Sequence, residues 1–502
     1  MKLKLLLFLS FAISWMVNAQ RIEISKGPII NAAEVRSEMN LPKVKFALFK
    51  PVSYSTSLFF DTQAKKAYTG IGFSGGAFQF AVLEDYIKYS GSKKLTAEFV
   101  NGKVNIYAFF NIQNKMYIFY ALKYPEKDEF SLYVNEVDKD MVVLGSPIII
   151  QNYKNLKSYG DGISISPSKN KKKILITRVL DTRPREKQKL ECKVITDSFS
   201  EEWIKEFELE NMDKEMFLQT MEVDNSGNFY LLVKFTAKSE DQPVLYSYFW
   251  KTKSFKPFSL GLQEGENFGT NLELLNGEKP FLVGLNQKKK NVSYFIDHIN
   301  PETETIDHLG VNPMPEDFYK ASQFNAYSTK DWSVANLISL ANNDLVASIE
   351  ARLVVLRNGI PMGYYTYHTF LMSFKENGSP KWSHTVYKIQ GGASETVGHL
   401  LLPVQNSVLV IYNDHPENIN KKPEDKKVEG FTGLKEALMT VQEIDENGNV
   451  KKYPFTKDKG LENYCLNLNT TARIEENLFY APIMNFKSRL KIESRHLTFN
   501  IK

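Results

Sequence analysis

A two-stranded hairpin pattern recurs along the whole chain. Each copy has an apolar strand, a short polar turn and a second, more apolar strand, as in MEVDNSGNFYLLVKF and LELLNGEKPFLVGL. The predicted turns are centred on eight positions: Gln63, Asn114, Asn170, Ser226, Asn276, Asn343, Asn406 and Asn477. Their spacing averages about 59 residues, so eight units account for nearly all of the 502 residues. Such regularity restricts the chain to folds built from one repeated element.

A second, more polar strand pair lies between successive hairpins. It is seen in TFLMSFKENGSPKWSHTVYK and ALMTVQEIDENGNVKKYPFTK. Asn377-Gly378 and Asn447-Gly448 occupy the same place in these two segments, and Asn-Gly predicts tight primed turns there. Each unit therefore contains about four strands, which is typical of β-propeller blades. We predict an all-β fold: a β-propeller with eight four-stranded blades, or seven if two units merge.

Two further segments fit this architecture. Residues 201–217 are compatible with an amphipathic helix, but Trp203, Phe207 and Leu209 also alternate as an outer strand would, and only the strand fits the repeat. The last unit offers three strand-like stretches. The segment RIEIS, at 21–25, is predicted to supply its fourth strand and so to join the last blade to the first.

The N-terminus has the three-part layout of a secretory signal. Lys2 and Lys4 precede an apolar run over 5–17, and Ala19 closes a cleavage site that makes Gln20 the first mature residue. The apolar run is too short to span a bilayer, and no later segment approaches the necessary length without charges. We predict a signal peptide over 1–19 and a single β-propeller domain over 20–502, secreted or periplasmic, with no membrane span.

Composition and charge narrow the class of protein. With 43% hydrophobic and 24% charged residues, the chain has ample material for a core. Its 63 basic and 58 acidic residues give a formal charge of +5, too weak a bias to predict a nucleic-acid partner. Cys192 and Cys465 could form one disulfide, but two buried thiols are the favoured interpretation.

One short motif carries a resemblance. In FKENGSPKW, Gly378 follows a turn and stands four positions before Trp382; IDENGNVKK shares the turn but has Lys452 at the tryptophan position, and VDNSGNFYL retains only Asp224 and Gly227. These segments resemble the D-x-x-x-G-x-x-x-W repeat of exported bacterial β-propeller proteins of the quinoprotein-like type. The motif is a packing motif, so the resemblance implies the fold and no particular chemistry.

No metal, cofactor or catalytic constellation stands out. The seven histidines are not spaced as metal-ligand pairs, so we predict no metal and no cofactor. Asp445, Asn447 and Asn449 resemble part of a calcium loop, but Val450 stands where its glycine belongs, which favours turn chemistry. Carboxylates are too numerous for sequence alone to select an acid/base pair, and the catalytic residues remain unknown.

The richest aromatic stretch is MGYYTYHTF. Strand alternation places Tyr365 and Tyr367 on one face and His368 on the other, and Trp332 could add a stacking platform at the entrance to the same unit. Core packing is the competing interpretation of all four residues. On this basis we predict a non-catalytic binding propeller whose ligand, a surface glycan, a peptide or a partner protein, lies at the mouth of the central channel. The alternative is a carbohydrate-active hydrolase or lyase that uses Asp/Glu acid-base residues.

Overall fold

Strands make up most of the computed structural model of this chain. The structure describes residues 22–26, 30–31, 58–61, 65–74, 77–85, 88–94, 103–124, 129–140, 142–154, 162–180, 189–209, 216–235, 243–261, 265–288, 291–323, 332–357, 360–392, 396–419, 421, 428–431, 437–454, 464–468, 471–474, 478–488 and 491–501. The predicted signal peptide lies outside these residues. The chain forms two compact units: unit 1 contains 1–53, 57–95 and 466–502, and unit 2 contains 54–56 and 96–465.

The described elements of the first half of the chain are short strands. They are β1 (Ile22–Lys26), β2 (Ile30–Asn31), β3 (Leu58–Asp61), β4 (Lys66–Ser74), β5 (Ala77–Glu84), β6 (Lys88–Lys94), β7 (Lys103–Ile112), β8 (Lys115–Tyr124), β9 (Glu129–Val137), β10 (Val143–Lys154), β11 (Ile163–Pro167), β12 (Lys173–Val179), β13 (Lys189–Thr196), β14 (Glu201–Glu208), β15 (Met216–Val223), β16 (Phe229–Phe235), β17 (Val244–Phe249) and β18 (Ser254–Ser259).

Among the described residues of the second half, an α-helix and a 3₁₀ turn join the same pattern. Its elements are β19 (Glu266–Leu275), β20 (Lys279–Lys288), β21 (Asn291–Asn300), β22 (Thr305–Pro313), α1 (Glu316–Gln323), β23 (Trp332–Ser339), β24 (Leu345–Arg357), β25 (Ile360–Phe374), β26 (Pro380–Val386), β27 (Ile389–Gly392), β28 (Leu400–Val404), β29 (Ser407–Asp414), the 3₁₀ turn (Pro416–Asn418), β30 (Gly430–Phe431), β31 (Leu438–Ile444), β32 (Val450–Pro454), β33 (Cys465–Leu466), β34 (Ala472–Arg473), β35 (Leu478–Ser488) and β36 (Lys491–Ile501).

Within the described ranges these strands form eight sheets, most of them four-stranded and antiparallel. Unit 1 holds sheet 1 (β3–β6) and almost all of sheet 8 (β1, β2 and β33–β36). Unit 2 holds sheet 2 (β7–β10), sheet 3 (β11–β14), sheet 4 (β15–β18), sheet 5 (β19–β22), sheet 6 (β23–β27 and β30) and sheet 7 (β28, β29, β31 and β32). Each predicted turn centre falls between two consecutive paired strands, so the predicted hairpins and the all-β class are confirmed, although Gln63 and Asn477 themselves lie outside the described residues.

In unit 2, sheets 3 to 6 are packed on both faces. On β16, Phe229 and Leu231 pack with residues of sheet 3, while the alternate residues Tyr230 and Leu232 pack with residues of sheet 5. Separate apolar clusters fill the spaces between sheets 2 and 3, 5 and 6, and 6 and 7 in the same way. Because successive strand residues point to opposite faces, a strand between two such cores must be apolar throughout. This explains why the second strand of each predicted hairpin is the more apolar one.

The first strands of unit 2 lie next to one another in chain order. β7 contacts β11, β11 contacts β15, β19 contacts β23, and β23 contacts β28; sheets 4 and 5 touch through β16 and β19. In each of these sheets the other strands follow outward in sequence order, apart from the β27 and β30 additions to sheet 6. Successive sheets of unit 2 therefore pack face to face with their first strands together at one side.

The Asn-Gly turns differ from the prediction. Gly378 and Gly448 have φ of +80° and +84°, but Asn377 and Asn447 do not have positive φ. Each glycine closes a type I turn as a bulge residue, so the predicted primed turns are wrong. The asparagine side chain of the first turn instead accepts a bond from the Ser379 amide, 3.1 Å away.

In unit 1 the N-terminal strand pairs with the C-terminal strand. β1 runs antiparallel to β36, with Ile22 opposite Ile501 and Lys26 opposite Leu497. β36 also pairs with β35, so β1 forms the outer edge of sheet 8. The predicted fourth strand of the last unit is thus confirmed. The chain ends are held by ladder hydrogen bonds between segments more than 460 residues apart in sequence.

Three other sequence predictions are tested by the described residues. β14 (Glu201–Glu208) buries Trp203 and Phe207, so this part of the 201–217 segment is a strand and not a helix, while 210–215 lie outside the described residues. Cys192 and Cys465 are buried and no disulfide joins them, as favoured. No helix in the described part of the chain is long and apolar enough to cross a bilayer.

Candidate functional site

Four consecutive sheets of unit 2 each place a polar residue at their first hairpin. Lys169 lies in the turn after β11, Glu222 on β15, Glu273 on β19 and Ser339 at the end of β23. We call these four residues the first-strand cluster. The strands bring together positions 170 residues apart in the sequence because the first strands of sheets 3 to 6 lie side by side.

Direct bonds connect three members of the cluster. The Ser339 hydroxyl donates to Glu273 Oε1 at 2.9 Å, and Lys169 Nζ donates to Ser339 Oγ at 3.0 Å. Lys169 Nζ also lies 3.5 Å from Glu273 Oε1. Burial raises the pKa of the Glu273 carboxyl, while Lys169 and Ser339 oppose this rise. The arrangement holds one carboxylate in a fixed position beside a half-exposed ammonium group.

Glu222 is the unsatisfied member of the cluster. Its carboxyl group is half-buried, and no described residue forms a hydrogen bond with it. Burial, together with the negative charge of nearby Glu273, raises the pKa of Glu222 to about 7. Near neutral pH this group therefore exists as a mixture of carboxylic acid and carboxylate, and it can donate or accept a hydrogen bond.

A chain of asparagines fixes the turns beside the cluster. Asn225 donates from its backbone to Gly277 O at 2.7 Å and from its side chain to Asn276 O at 3.0 Å. Asn170 N donates to Asn225 Oδ1 at 3.1 Å, and Asn276 Nδ2 donates to Asn343 Oδ1 at 3.0 Å. Four turns from four sheets are thus bonded together, and the cluster is preorganised on a rigid support.

Gly277 allows these turns to approach one another. Its φ is +76°, and a Cβ atom there would lie 2.6 Å from Asn225 Nδ2 and 2.8 Å from Lys169 Cβ. Only glycine combines this left-handed backbone with so close a contact. The Asn-Gly pair at 276–277, visible in the sequence only as a turn signal, is therefore required by the packing of three hairpins.

Trp332 does not offer a stacking surface. Only 1% of the residue is exposed, and its ring packs edge-on against Phe318 of α1, with ring centroids 5.1 Å apart. Phe318 in turn contacts Phe370 on β25. The ring therefore fills the core between sheets 5 and 6, which is the packing role that competed with the binding interpretation.

The other three predicted residues lie together on β25, with the predicted alternation. Tyr365 is 42% exposed and Tyr367 is half-buried, whereas Thr366 and His368 are buried. The Tyr365 ring lies against the backbone of Gly391, where an added Cβ would be 2.6 Å from Cε1. None of these residues belongs to the first-strand cluster.

His368 is enclosed rather than presented to solvent. Its Nδ1 lies 3.0 Å from Lys388 O and 3.2 Å from Lys388 N. Burial lowers the pKa of His368 to about 4, so the imidazole is neutral at physiological pH. The ring serves the internal bonding of sheet 6.

A buried polar network lies where β25 leaves β26 and begins to pair with β27. Glu350 accepts hydrogen bonds from Lys388 Nζ at 2.5 Å and from Thr369 Oγ1 at 2.9 Å, and His399 Nδ1 lies 3.1 Å away. Lys388 Nζ also donates to Gln390 Oε1 at 2.9 Å. These groups satisfy one another within the protein, so the network is a structural element of sheets 6 and 7.

The described part of the chain shows nothing that resembles a metal centre. Among the described residues, no group of three or more His, Cys, Asp or Glu side chains is placed to hold a metal ion. Asp445 Oδ1 instead accepts hydrogen bonds from the backbone amides of Asn447 and Asn449, each at 2.9 Å. The turn interpretation of this segment is confirmed.

Sequence reasoning missed the first-strand cluster. Glu222, Glu273 and Ser339 each stand three or four positions before a predicted turn centre, and Lys169 directly precedes one. A polar residue repeated at this point of otherwise apolar hairpins is the signal that could have found them. The sequence could not show that the four hairpins share one side of unit 2.

Comparison with known proteins gives distant likenesses to solved structures. No known protein family and no curated protein sequence matches the chain. Among solved structures, the chain is similar to a polysaccharide lyase, Uly1, at 10% identity and a TM-score of 0.42, over 90% of this chain and 98% of the lyase. It is also similar to the β-propeller domain of the trilobed protease from Pyrococcus furiosus, at 7% identity and a TM-score of 0.35, over 79% and 94% of the two chains.

A third likeness is to the WD40 domain of SCAP from fission yeast, at 8% identity and a TM-score of 0.36, covering 96% of this chain and 98% of that one. At such low identities and TM-scores, none of these likenesses assigns a function to the chain.

Proposed function

We propose that this protein is an exported β-propeller that binds a polar ligand at the first-strand cluster without altering it chemically. Four-stranded sheets that pack face to face, with their first strands together, support the propeller architecture. Eight blades, one from each sheet, is the arrangement we propose for the whole chain. The ligand is a surface glycan, a peptide or a partner protein.

One observation carries the binding proposal. The Glu222 carboxyl is half-buried, lacks a hydrogen-bond partner among the described residues and stands beside a rigid set of bonded turns. Leaving a half-buried carboxyl unpaired costs free energy. A hydrogen bond from a ligand hydroxyl or ammonium group to this carboxyl would offset that cost. Lys169 adds a half-exposed cation to the same site.

The test is a binding screen with the full mature chain. Oligosaccharides and short peptides would be examined by thermal shift and then by calorimetry. We expect a ligand whose affinity falls at least tenfold in Glu222→Ala and in Lys169→Met. Glu302→Ala, in an exposed turn of sheet 5, is the matched control and should bind normally. Equal affinity for all variants would contradict binding at this cluster, and a changed mass of the recovered ligand would contradict a purely binding role.

A second candidate function is a carbohydrate-active hydrolase or lyase. The observation that favours it is the pKa of about 7 for Glu222, with a second carboxylate, Glu273, close enough to raise it. Acid/base catalysis needs a general acid whose pKa lies near the working pH. It also needs a second group beside that acid, which acts as base, nucleophile or electrostatic stabiliser. Polysaccharide panels assayed for new reducing ends and for new double bonds would test this. Activity that Glu222→Gln abolishes and Glu302→Gln leaves intact would favour the enzyme.

Export is a separate part of the proposal. It rests on the residues of 1–19, which lie outside the described part of the structure. Expression in a Gram-negative host should give periplasmic or secreted protein whose mass corresponds to a chain that starts at Gln20. Replacing Leu6 with Arg interrupts the apolar run and should keep the chain uncleaved in the cytoplasm. Cleavage that persists in this variant would contradict a signal peptide.

A further inference from the structure

The outer strand of sheet 2, β10, exposes more large apolar side chains than the other described outer strands do. Half of the large apolar side chains that are exposed in the described residues lie between Val142 and Ile149, with Ile148 45% and Ile149 57% exposed. Among the described strands, β10 pairs only with β9, so no strand covers its other edge, where Lys193 Nζ of β13 bonds the Ile150 carbonyl at 2.8 Å. Proteins normally protect free edges with charges, because an apolar edge invites another strand.

The exposed conformation of β10 is built into the sheet. The register with β9 shifts between Leu144 and Ile148, which bulges the strand outward around Gly145. Buried Asn135 stabilises the bulge, since its Nδ2 donates to Leu144 O at 3.1 Å while its Oδ1 accepts from Tyr120 Oη at 2.8 Å. The apolar side chains are thus held outward by a satisfied hydrogen-bond network.

A cleft of about 330 Å³ lies beside this bulge, between sheets 2 and 3. Its apolar wall includes Tyr117, Leu144, Ile148 and Phe199. Its polar lining includes Glu136, which pairs with Lys115 at 2.7 Å, and Asp197, which accepts a hydrogen bond from Gln113 Nε2 at 2.9 Å. Within the described residues no lysine or arginine pairs with the Asp197 carboxylate, so the cleft combines apolar walls with an uncompensated negative charge.

We propose that the β10 edge and this cleft form a docking site for an extended segment of a partner protein. The segment adds to sheet 2 as a strand along β10 beyond Pro147, whose missing amide would interrupt a ladder. The register shifts again between Ile149 and Gln151, and the Ile150 carbonyl, bonded to Lys193 Nζ, takes no part in this ladder. Apolar side chains of the segment cover Ile148 and Ile149, and a lysine or arginine enters the cleft toward Asp197. This site is separate from the first-strand cluster, so it does not depend on the function proposed above.

The test uses a labelled nine-residue peptide that alternates valine with lysine and threonine, titrated with the full mature chain by fluorescence anisotropy. We expect saturable binding that weakens at least tenfold in Ile148→Asp and in Asp197→Asn. A peptide with glutamate in place of lysine should bind at least tenfold more weakly. Methylating the amides along one edge of the peptide should abolish binding, because the strand ladder cannot form.

The matched control is Ile204→Asp, which introduces the same charge at an exposed isoleucine on β14, the outer strand of sheet 3. It should bind the lysine peptide normally, and all variants should unfold at the same denaturant midpoint as the parent chain. Failure of the lysine peptide to bind at millimolar concentration, or equal binding of the lysine and glutamate peptides, would overturn the proposal. A dimer in sedimentation that Ile148→Asp dissociates would also overturn it, because the edge would then be covered by a second copy of the chain.

Discussion

Lys388 Nζ lies 2.5 Å from Glu350 Oε1, and both side chains are enclosed by sheets 6 and 7. Burial alone would raise the pKa of Glu350, but Lys388 and His399 outweigh it and hold that pKa well below its usual range. Burial lowers the pKa of Lys388, although the attraction of Glu350 opposes this. The pair remains charged because each group compensates the other, and neither is tolerable alone.

Removing one partner of this pair should therefore lower the free energy of unfolding more than removing both partners does. We expect Glu350→Gln or Lys388→Met to lower the free energy of unfolding by about 3–5 kcal/mol. The double variant should cost less than either single change. Urea unfolding of the four proteins in a double-mutant cycle measures this coupling. Lys88→Met, which breaks the exposed Lys88–Asp85 contact, is the control and should change stability by less than about 1 kcal/mol.

The raised pKa of Glu222 predicts a pH dependence of stability. Protonation is favoured in the folded state, so the contribution of Glu222 is fully present below pH 4.5 and is lost as the pH rises through about 7. Relative to Glu222→Gln, the parent chain should lose up to about 3 kcal/mol over this interval. Unfolding curves at half-unit pH steps measure the difference. A constant difference, or one that grows in favour of the parent chain with pH, would contradict the raised pKa.

Trp382 and Gly448 connect the outer strand of sheet 6 to the outer turn of sheet 7. Gly448 has φ of +84°, and a Cβ atom there would lie 2.8 Å from Trp382 Cβ. Gly448→Ala should therefore combine backbone strain with a clash. Gly145 supplies the control, because its φ is +69° and nothing lies within 4 Å of an added Cβ. We expect Gly448→Ala to destabilise the fold by at least about 1 kcal/mol more than Gly145→Ala, measured by thermal or urea unfolding.

The pairing of β1 with β36 predicts a stabilising role for the N-terminus. Deleting residues 20–30 exposes the edge of β36 and removes its outer ladder, so the melting temperature should fall by several degrees or more. Replacing 22–26 with five alternating glycines and serines keeps the chain length and should produce most of the same loss. An unchanged melting temperature in both variants would show that β1 adds nothing to the stability of sheet 8.

Local patterns predicted the local structure well. The eight hairpins, the outer strand that begins at Glu201 and the turn at Asp445 were all visible because each depends on neighbouring residues. The Asn-Gly turns were placed correctly but given the wrong type. Turn type depends on the number of residues between the two paired strands. The backbone hydrogen bonds that flank these two turns enclose longer loops than a primed two-residue turn has.

The candidate site depended on contacts that no local pattern reveals. Trp332 and Tyr365 are both aromatic residues in strands, yet one fills a core and the other is exposed, because α1 covers only the first. Lys169 meets Ser339 only because four sheets stack with their first strands together.

By itself, the sequence determined the strands, their turns and the alternation of each strand, since these follow from backbone preferences and from the two-residue period of side chains. Only the tertiary structure decided which polar residues meet and which aromatic rings are covered. Those outcomes depend on how whole sheets pack, and packing brings together residues that are far apart in the chain.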